Sequence, residues 1–409
     1  MAGHLLRHAF GVLGLAVALP AAAQTGGAPA SPDWRSAVEA AWSRSVQAVD
    51  AAGQRRSAQA EHSAASSFWA ASPALELEQL RKRQQPGGSS RETELGIALP
   101  LWLPGQRGAR LAAADAQAAA ASAAADAARL QLAGAVQEAA WAVWMQQAEV
   151  ESAAIQADEF EALAHDVARR VRAGDLARTD ALAADAERLA GEDARSRARL
   201  ALQAAEARWT ALTGLATLPP RPAPADVPPA TAPLVAHPLL HEAGARLELA
   251  RKRLDAVRLS RRDAPELVLR AHQERAGGEP DVNGVGVALR IPFASAERNE
   301  PLLSAALAEA ELAEASETEV RRQLDLALTS AVQDERAARQ QLANEAERAR
   351  LLRERAVLIQ KSFDAGQSPL PEALRALTQA LQAEAAMRRQ AVAAALAAAR
   401  LQQARGLMP

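Results

Sequence analysis

Few residues of this 409-residue chain could do chemistry, and their spacing narrows the choice. His237 and His241 stand four apart at a helix start, on one face, a spacing able to bind a metal. Pro238 between them reads as a first-turn helix residue, and no third ligand is evident, so no metal site is assigned. His272 and Glu274 share a strand face with Arg270 and read as solvated, with the lining of a water-filled interior as the alternative. Gly284-Val285-Gly286 is a fragment of a dinucleotide fingerprint, but it sits inside a strand. G-x-S-x-G, Walker and H-E-x-x-H patterns are all missing. The chain has no cysteine, which removes thiol catalysis, disulfides and cysteine zinc sites. Neither an enzyme nor a cofactor is expected.

Composition points elsewhere. Aromatics are 3%, tyrosine is absent, and alanine is interspersed with Glu, Arg, Gln and Leu. That suits long helices packed closely, where small side chains let backbones approach. The formal net charge is -2 and no basic patch stands out, which excludes nucleic acid as a partner. At the start, His4, Arg7 and His8 precede an apolar run from Ala9 to Leu19. Pro20 breaks the run, and Ala21-Ala22-Ala23 offers a cleavage site. The expectation is an export signal removed near Ala23. Later, no stretch approaches the ~20 apolar residues of a membrane-spanning helix.

The chain repeats itself. Gly96-Ile97-Ala98-Leu99 is echoed by Gly286-Val287-Ala288-Leu289, Arg107 by Arg298, and Ala173-Gly174 by Ala365-Gly366. Each pair is separated by about 190 residues, a constancy that favours duplication. Helical sequence runs from Gln106 to Arg172 and from about Ala296 to Asp364, each roughly 100 Å long at 1.5 Å per residue. Gly174 and Gly366 are natural left-handed caps, followed by shorter return helices to about Thr213 and Gln403. The proline-rich run Leu218 to Pro233 cannot be helix and reads as a linker between the halves.

Ahead of each long helix lies a hairpin signal. "PALELEQLRKRQQ" turns at "PGGSSR" and returns as "ETELGIALPLW"; "PELVLRAHQER" turns at "AGGEPD" and returns through "NGVGVALRIPF". Thr93, Leu95, Ile97 and Leu99 share one face, and Glu92, Glu94, Gly96 and Ala98 the other. Val285, Val287 and Leu289 likewise oppose Gly284, Gly286, Ala288 and Arg290. One apolar face and one small or charged face suit a barrel wall between lipid and water, or a half-buried strand pair in a soluble protein. Four strands are too few to close a barrel, so several chains would have to contribute.

The strand-to-helix phrases "LPLWLPGQRGAR" and "RIPFASAERNE" and the turns "RVRAGD" and "SFDAG" resemble those of TolC-like outer-membrane efflux proteins. The stretch "PELVLRAHQERAGGEPDVNGVGVALRIPFASAERNEP" is most similar to the CzcC-like heavy-metal efflux branch. The resemblance covers nearly the whole mature chain; at the first turn Val171 stands where the family usually has an aromatic.

The fold so implied is mainly α with a small β part. Duplicated long helical hairpins form a periplasmic tunnel, and two β-hairpins contribute to a trimeric, twelve-stranded outer-membrane β-barrel. The expected divisions are a signal over 1–23, a periplasmic helix over 24–71 and a barrel hairpin over 72–103. A long and a return helix follow over 104–217, then a linker over 218–236. The second copy has its helix over 237–263, its hairpin over 264–293 and its long and return helices over 294–409.

Implied partners are two further copies (a homotrimer), a periplasmic adaptor, an inner-membrane RND pump and outer-membrane lipid. Adaptor contact falls on the hairpin tips: Val171, Ala173, Gly174, Leu176, Phe363, Ala365, Gly366 and Leu370; the alternative is that the glycines merely cap helices. Asp175 and Asp180 would recur three times and could form a cation-favouring gate, or else act as helix N-terminal charges. Trp69, Trp102 and Phe293 read as a membrane-border aromatic girdle, against ordinary packing at the same junction. The expected function is a passive exit duct for heavy-metal cations. Alternatives are the same duct for organic compounds or an exported polypeptide, and a periplasmic coiled-coil scaffold without a pore.

Overall fold

The computed structural model describes residues 32–84, 88–222, 236–260, 262–276, 280–293 and 296–409. The expected signal over 1–23 and residues 223–235 of the linker lie outside the described residues.

The first half runs α1 (Trp34–Arg44), α2 (Val46–Ser66), β1 (Ala74–Gln84), β2 (Gly88–Pro100), α3 (Gln106–Ala173) and α4 (Arg178–Thr213). The second runs α5 (Pro238–Leu259), β3 (Glu266–Ala276), β4 (Val282–Arg290), α6 (Ala296–Asp364) and α7 (Leu370–Ala404). One helix was expected over 24–71, but Ser45 divides the segment into α1 and α2. Its backbone is extended, its hydroxyl donates to the Trp42 carbonyl at 2.8 Å, and the same oxygen accepts from the Ala48 amide at 3.1 Å. A side chain that can end one helix and cap the next competes well with helix continuation.

The long helices α3 and α6 span 68 and 69 residues, about 100 Å each. Both stop the same way. Gly174 and Gly366 adopt φ 88° and 71°, where a Cβ would be strained. The Asp175 amide reaches back to the Arg170 carbonyl, and the Gln367 amide to that of Ser362, at 2.9 Å each.

The helices pack lengthwise around α3. It touches α1, α2, α4, α5 and α7, whereas α6 packs on α5 and α7. Partway along α3 sits the main core. Trp42, Trp141, Trp144 and Trp209 are buried there, with Trp34 edge-on to Trp144 at 5.9 Å. Five of the seven tryptophans thus occupy one cluster, so the scarcity of aromatics conceals a local concentration. The Trp34 indole donates to the Pro220 carbonyl at 3.3 Å, and Arg221 lies over Trp141, which docks the beginning of the linker on this core. Glu138, level with this core, pairs with Arg400 of α7, and nearer the tips Glu149 and Glu151 of α3 pair with Arg389 and Arg388. Arg353 of α6 bridges Glu159 of α3 and Glu384 of α7 at 3.0 and 2.5 Å.

Candidate functional site: an amphipathic sheet and paired helix tips

The strands form a single antiparallel sheet in the order β1-β2-β3-β4. The β2–β3 ladder, from Ser90↔Ala276 to Pro100↔Glu266, joins the two halves. Among the described residues β1 and β4 are open edges, each with one partner. Register aligns the expected alternation across the halves: Ile97 lies beside Leu269 and Leu269 beside Val287, while Leu95 and Val285 flank Ala271. Leu75 and Leu77 of β1 continue these rows. Most of the large side chains on this face are exposed, Val285 at 92%. A contiguous exposed apolar surface of this kind marks contact with lipid or protein.

The opposite face is charged and cross-linked. Arg270 contacts Glu94 at 3.0 Å and Glu76 at 3.9 Å, Lys82 contacts Glu92 at 2.8 Å, and His272 contacts Glu92 at 3.4 Å. Arg270, His272 and Glu274 do share this face. Their β2 partners were not legible in advance, because pairing depends on a register that sequence spacing leaves open. Glu76, Glu78, Glu92, Glu94, Glu266 and Glu274 outnumber Lys82, Arg270 and Arg290 here.

At the stem end of the sheet, the Ala70 amide donates to the Pro100 carbonyl and that of Leu101 to Pro265. The Trp102 indole donates to the Ser67 carbonyl at 3.1 Å, with Arg110 over its ring. Trp69 is half-buried and meets Phe68 edge-on at 4.7 Å. Phe293 follows β4 at the same end of the sheet and is 95% exposed. Phe68, 75% exposed, is a further aromatic of this junction that sequence reasoning missed, although its place beside Trp69 was a usable signal.

At the other extremity the two helical hairpins share a small core of Leu163, Val167, Phe363, Leu370 and Ala373, flanked by Val171 and Leu176. Of the tip residues named above, Ala173, Gly174, Ala365 and Gly366 are exposed, Val171 and Leu176 half-buried, and Phe363 and Leu370 buried. Arg170, the first residue of the turn RVRAGD but not among the site residues expected from the sequence, ties the tips together. It pairs with Asp166 at 2.8 Å and Asp364 at 2.8 Å, and it lies over the Phe363 ring at 4.8 Å. Asp175 is exposed, whereas the Asp180 carboxylate accepts from the Ala177 amide and so caps α4. An open groove of about 570 Å³ runs beside this clasp, lined by Glu159, Leu163, Arg170, Arg353 and Asp364 among others.

His237 is the N-cap of α5. Its Nδ1 accepts from the Leu239 amide at 3.2 Å, the residue is buried, and burial holds its pKa below the ordinary histidine value. His241 is exposed. Among the described residues no group of three metal-ligating side chains assembles, and no helix is long and apolar enough to cross a membrane.

No family model matches the sequence, and no curated protein matches it. Solved structures do match the fold. The outer membrane protein VceC of Vibrio cholerae superposes with a TM-score of 0.74 at 16% identity, covering 91% of this chain and 96% of that one. A membrane protein from Pseudomonas aeruginosa gives 0.76 at 20% identity, covering 91% and 90%. CusC, a protein whose structures describe transmembrane channel formation, gives 0.74 at 14% identity, covering 92% and 93%. Over nine-tenths of its length this chain has the fold of these membrane proteins.

Proposed function

We propose that the protein is a TolC-like outer-membrane channel of a tripartite efflux system, a passive duct that performs no chemistry. One observation carries the reading: a sheet with one apolar and one charged face, open at both edges, crowns helices about 100 Å long. Three copies supply twelve strands, abolish the edges and turn the apolar face to lipid. Trp69, Trp102 and Phe293 then sit at the periplasmic border. The exposed residues Ala173, Gly174, Ala365 and Gly366 meet the periplasmic adaptor, with Val171, Leu176, Phe363 and Leu370 supporting them, and an RND pump supplies the cargo. Asp175 lies at the tip where three copies would converge.

Heavy-metal cations are the favoured cargo, as in the CzcC-like branch, because carboxylates outnumber cations on the water-facing wall. The purified mature chain is expected to migrate as a heat-sensitive trimer and to give cation-selective pores in planar bilayers. A monomeric, water-soluble rod without conductance refutes the duct. Loss of the gene should reduce tolerance to zinc, cobalt, cadmium or copper; new dye sensitivity with unchanged metal tolerance shifts the cargo to organic compounds.

A further inference from the structure

The apolar face of the sheet ends in arginine. Arg81 lies directly beside Arg91 across β1–β2, and Arg91 directly beside Arg275 across β2–β3. By strand alternation these three share the face of Leu77, Leu95 and Leu269, and Arg83 continues it one step outward. Between the arginines and the leucines runs a polar row, Gln79, Thr93, Gln273 and Asn283. No acidic residue of the four strands lies on this face, whereas six glutamates lie on the other.

Like charges set directly opposite one another repel. Arg275 has Asp281 at 2.9 Å. Arg81, Arg83 and Arg91 are exposed and have no acidic partner among the described residues. Their neighbour Lys82, on the charged face, is by contrast satisfied by Glu92. From Leu99 to Arg91 the strand rises about 27 Å, or about 20 Å in height at the tilt of a barrel strand. That is the depth at which hydrocarbon gives way to headgroups, and it lies at the end of the sheet remote from the helices.

We infer that Arg81, Arg91 and Arg275, with Arg83, form a lipid-facing belt that binds phosphate-bearing lipid headgroups of the outer leaflet. The inference rests on the outer-membrane reading above. Guanidinium forks match phosphate oxygens in pairs, which a point charge does not. Three copies would carry the belt around the whole circumference and fix the height of the barrel in the membrane. The apolar rows beneath accept the acyl chains of the same lipids.

The test uses the mature trimer in nanodiscs of phosphatidylcholine, titrated with bisphosphorylated lipid A or with its dephosphorylated form. The expected result is a preference of about tenfold or more for the phosphorylated lipid, weakening with salt. The triple variant R81Q/R91Q/R275Q should lose that preference while keeping trimer and conductance, and K82Q, on the other face, should keep it. Equal binding of both lipids by the unaltered protein overturns the inference. So does a preference untouched by the triple variant, or full competition by millimolar inorganic phosphate. If pores form normally while the preference is absent, the belt alone falls; if no pores form, the duct falls and the belt with it.

Discussion

α3 and α6 are long helices in equivalent places of the two halves, yet they are buried differently. α3 lies at the centre of the protomer and covers Leu130, Val136, Trp141, Val143 and Phe160 among its neighbours. α6 lies at its edge and leaves Leu302, Leu312, Leu326, Leu351 and Leu358 exposed. Their charges follow suit. α3 sends Glu138, Glu149, Glu151 and Glu159 to arginines of the other hairpin, while α6 pairs Glu317 with Arg321, Glu319 with Arg322 and Glu347 with Arg350 along its own surface. Such local pairs stabilise a helix that has few neighbours. The two halves therefore repeat the element, and position within the protomer decides what each helix must bury. The leucines of α6, with Leu182, Leu189 and Leu200 of α4, lie on the two helices at the margins of the packed set.

The contrast can be broken most forcefully at the tryptophan core. W141A should cost about 3–5 kcal/mol in denaturant unfolding, because a fully buried ring leaves a cavity. L326A on α6, 65% exposed, should change monomer stability by less than about 0.5 kcal/mol and act instead on retention of the proposed trimer in unheated gels. Equal losses in the monomer would erase the distinction between central and marginal helix.

Arg353 comes next. R353M should cost on the order of 1–2 kcal/mol, since Glu159 and Glu384 are left facing each other in partial burial, the rest being screened by water. The guanidinium beside Glu384 holds that carboxyl below its ordinary pKa. The stabilisation is therefore present above the usual glutamate value near 4.5 and disappears as pH falls through the lower folded value. R353M should flatten that acid limb of the unfolding midpoint, whereas R350M, on the exposed surface of α6, should leave the midpoint unchanged.

A smaller effect sharpens the role of close approach. A Cβ on Gly191 of α4 would stand 3.0 Å from the Ala157 Cα of α3, so G191A should destabilise by about 1 kcal/mol. G244A in α5 meets nothing within 4 Å and should stabilise slightly through helix propensity. Same-signed shifts in thermal midpoint would count against tight α3–α4 packing.

The smallest effect concerns one buried histidine. His237 is kept neutral by burial, so folding weakens as pH drops below the ordinary histidine value of 6.5 towards the lowered folded one. H237N, which can still cap α5, should flatten the urea-midpoint profile between pH 7.5 and 5.5.

Much of this architecture could be read from local chemistry. Gly174 and Gly366 announced both tips, because only a residue without a Cβ turns a helix so sharply at low cost. Alternation announced both hairpins, because the pleat has a period of two. What escaped depends on residues far apart in the chain. Trp34, Trp141 and Trp209 converge only once three helices pack, Arg170 finds Asp364 across the gap between hairpins, and Arg81, Arg91 and Arg275 align only through register. The division at Ser45 was legible in principle, since serine caps helices, but serine is also tolerated inside them.

The ladder between β2 and β3 has one further consequence. It joins the second strand of one half-chain to the first strand of the next, and β4 and β1 are the same two kinds of strand left waiting. The junction is head-to-tail, so it can be repeated without limit unless the rotation at each step returns to its origin. In the proposed trimer, the curvature built into this one covalently tethered joint would govern whether subunits complete a finite circle or go on adding as an open spiral.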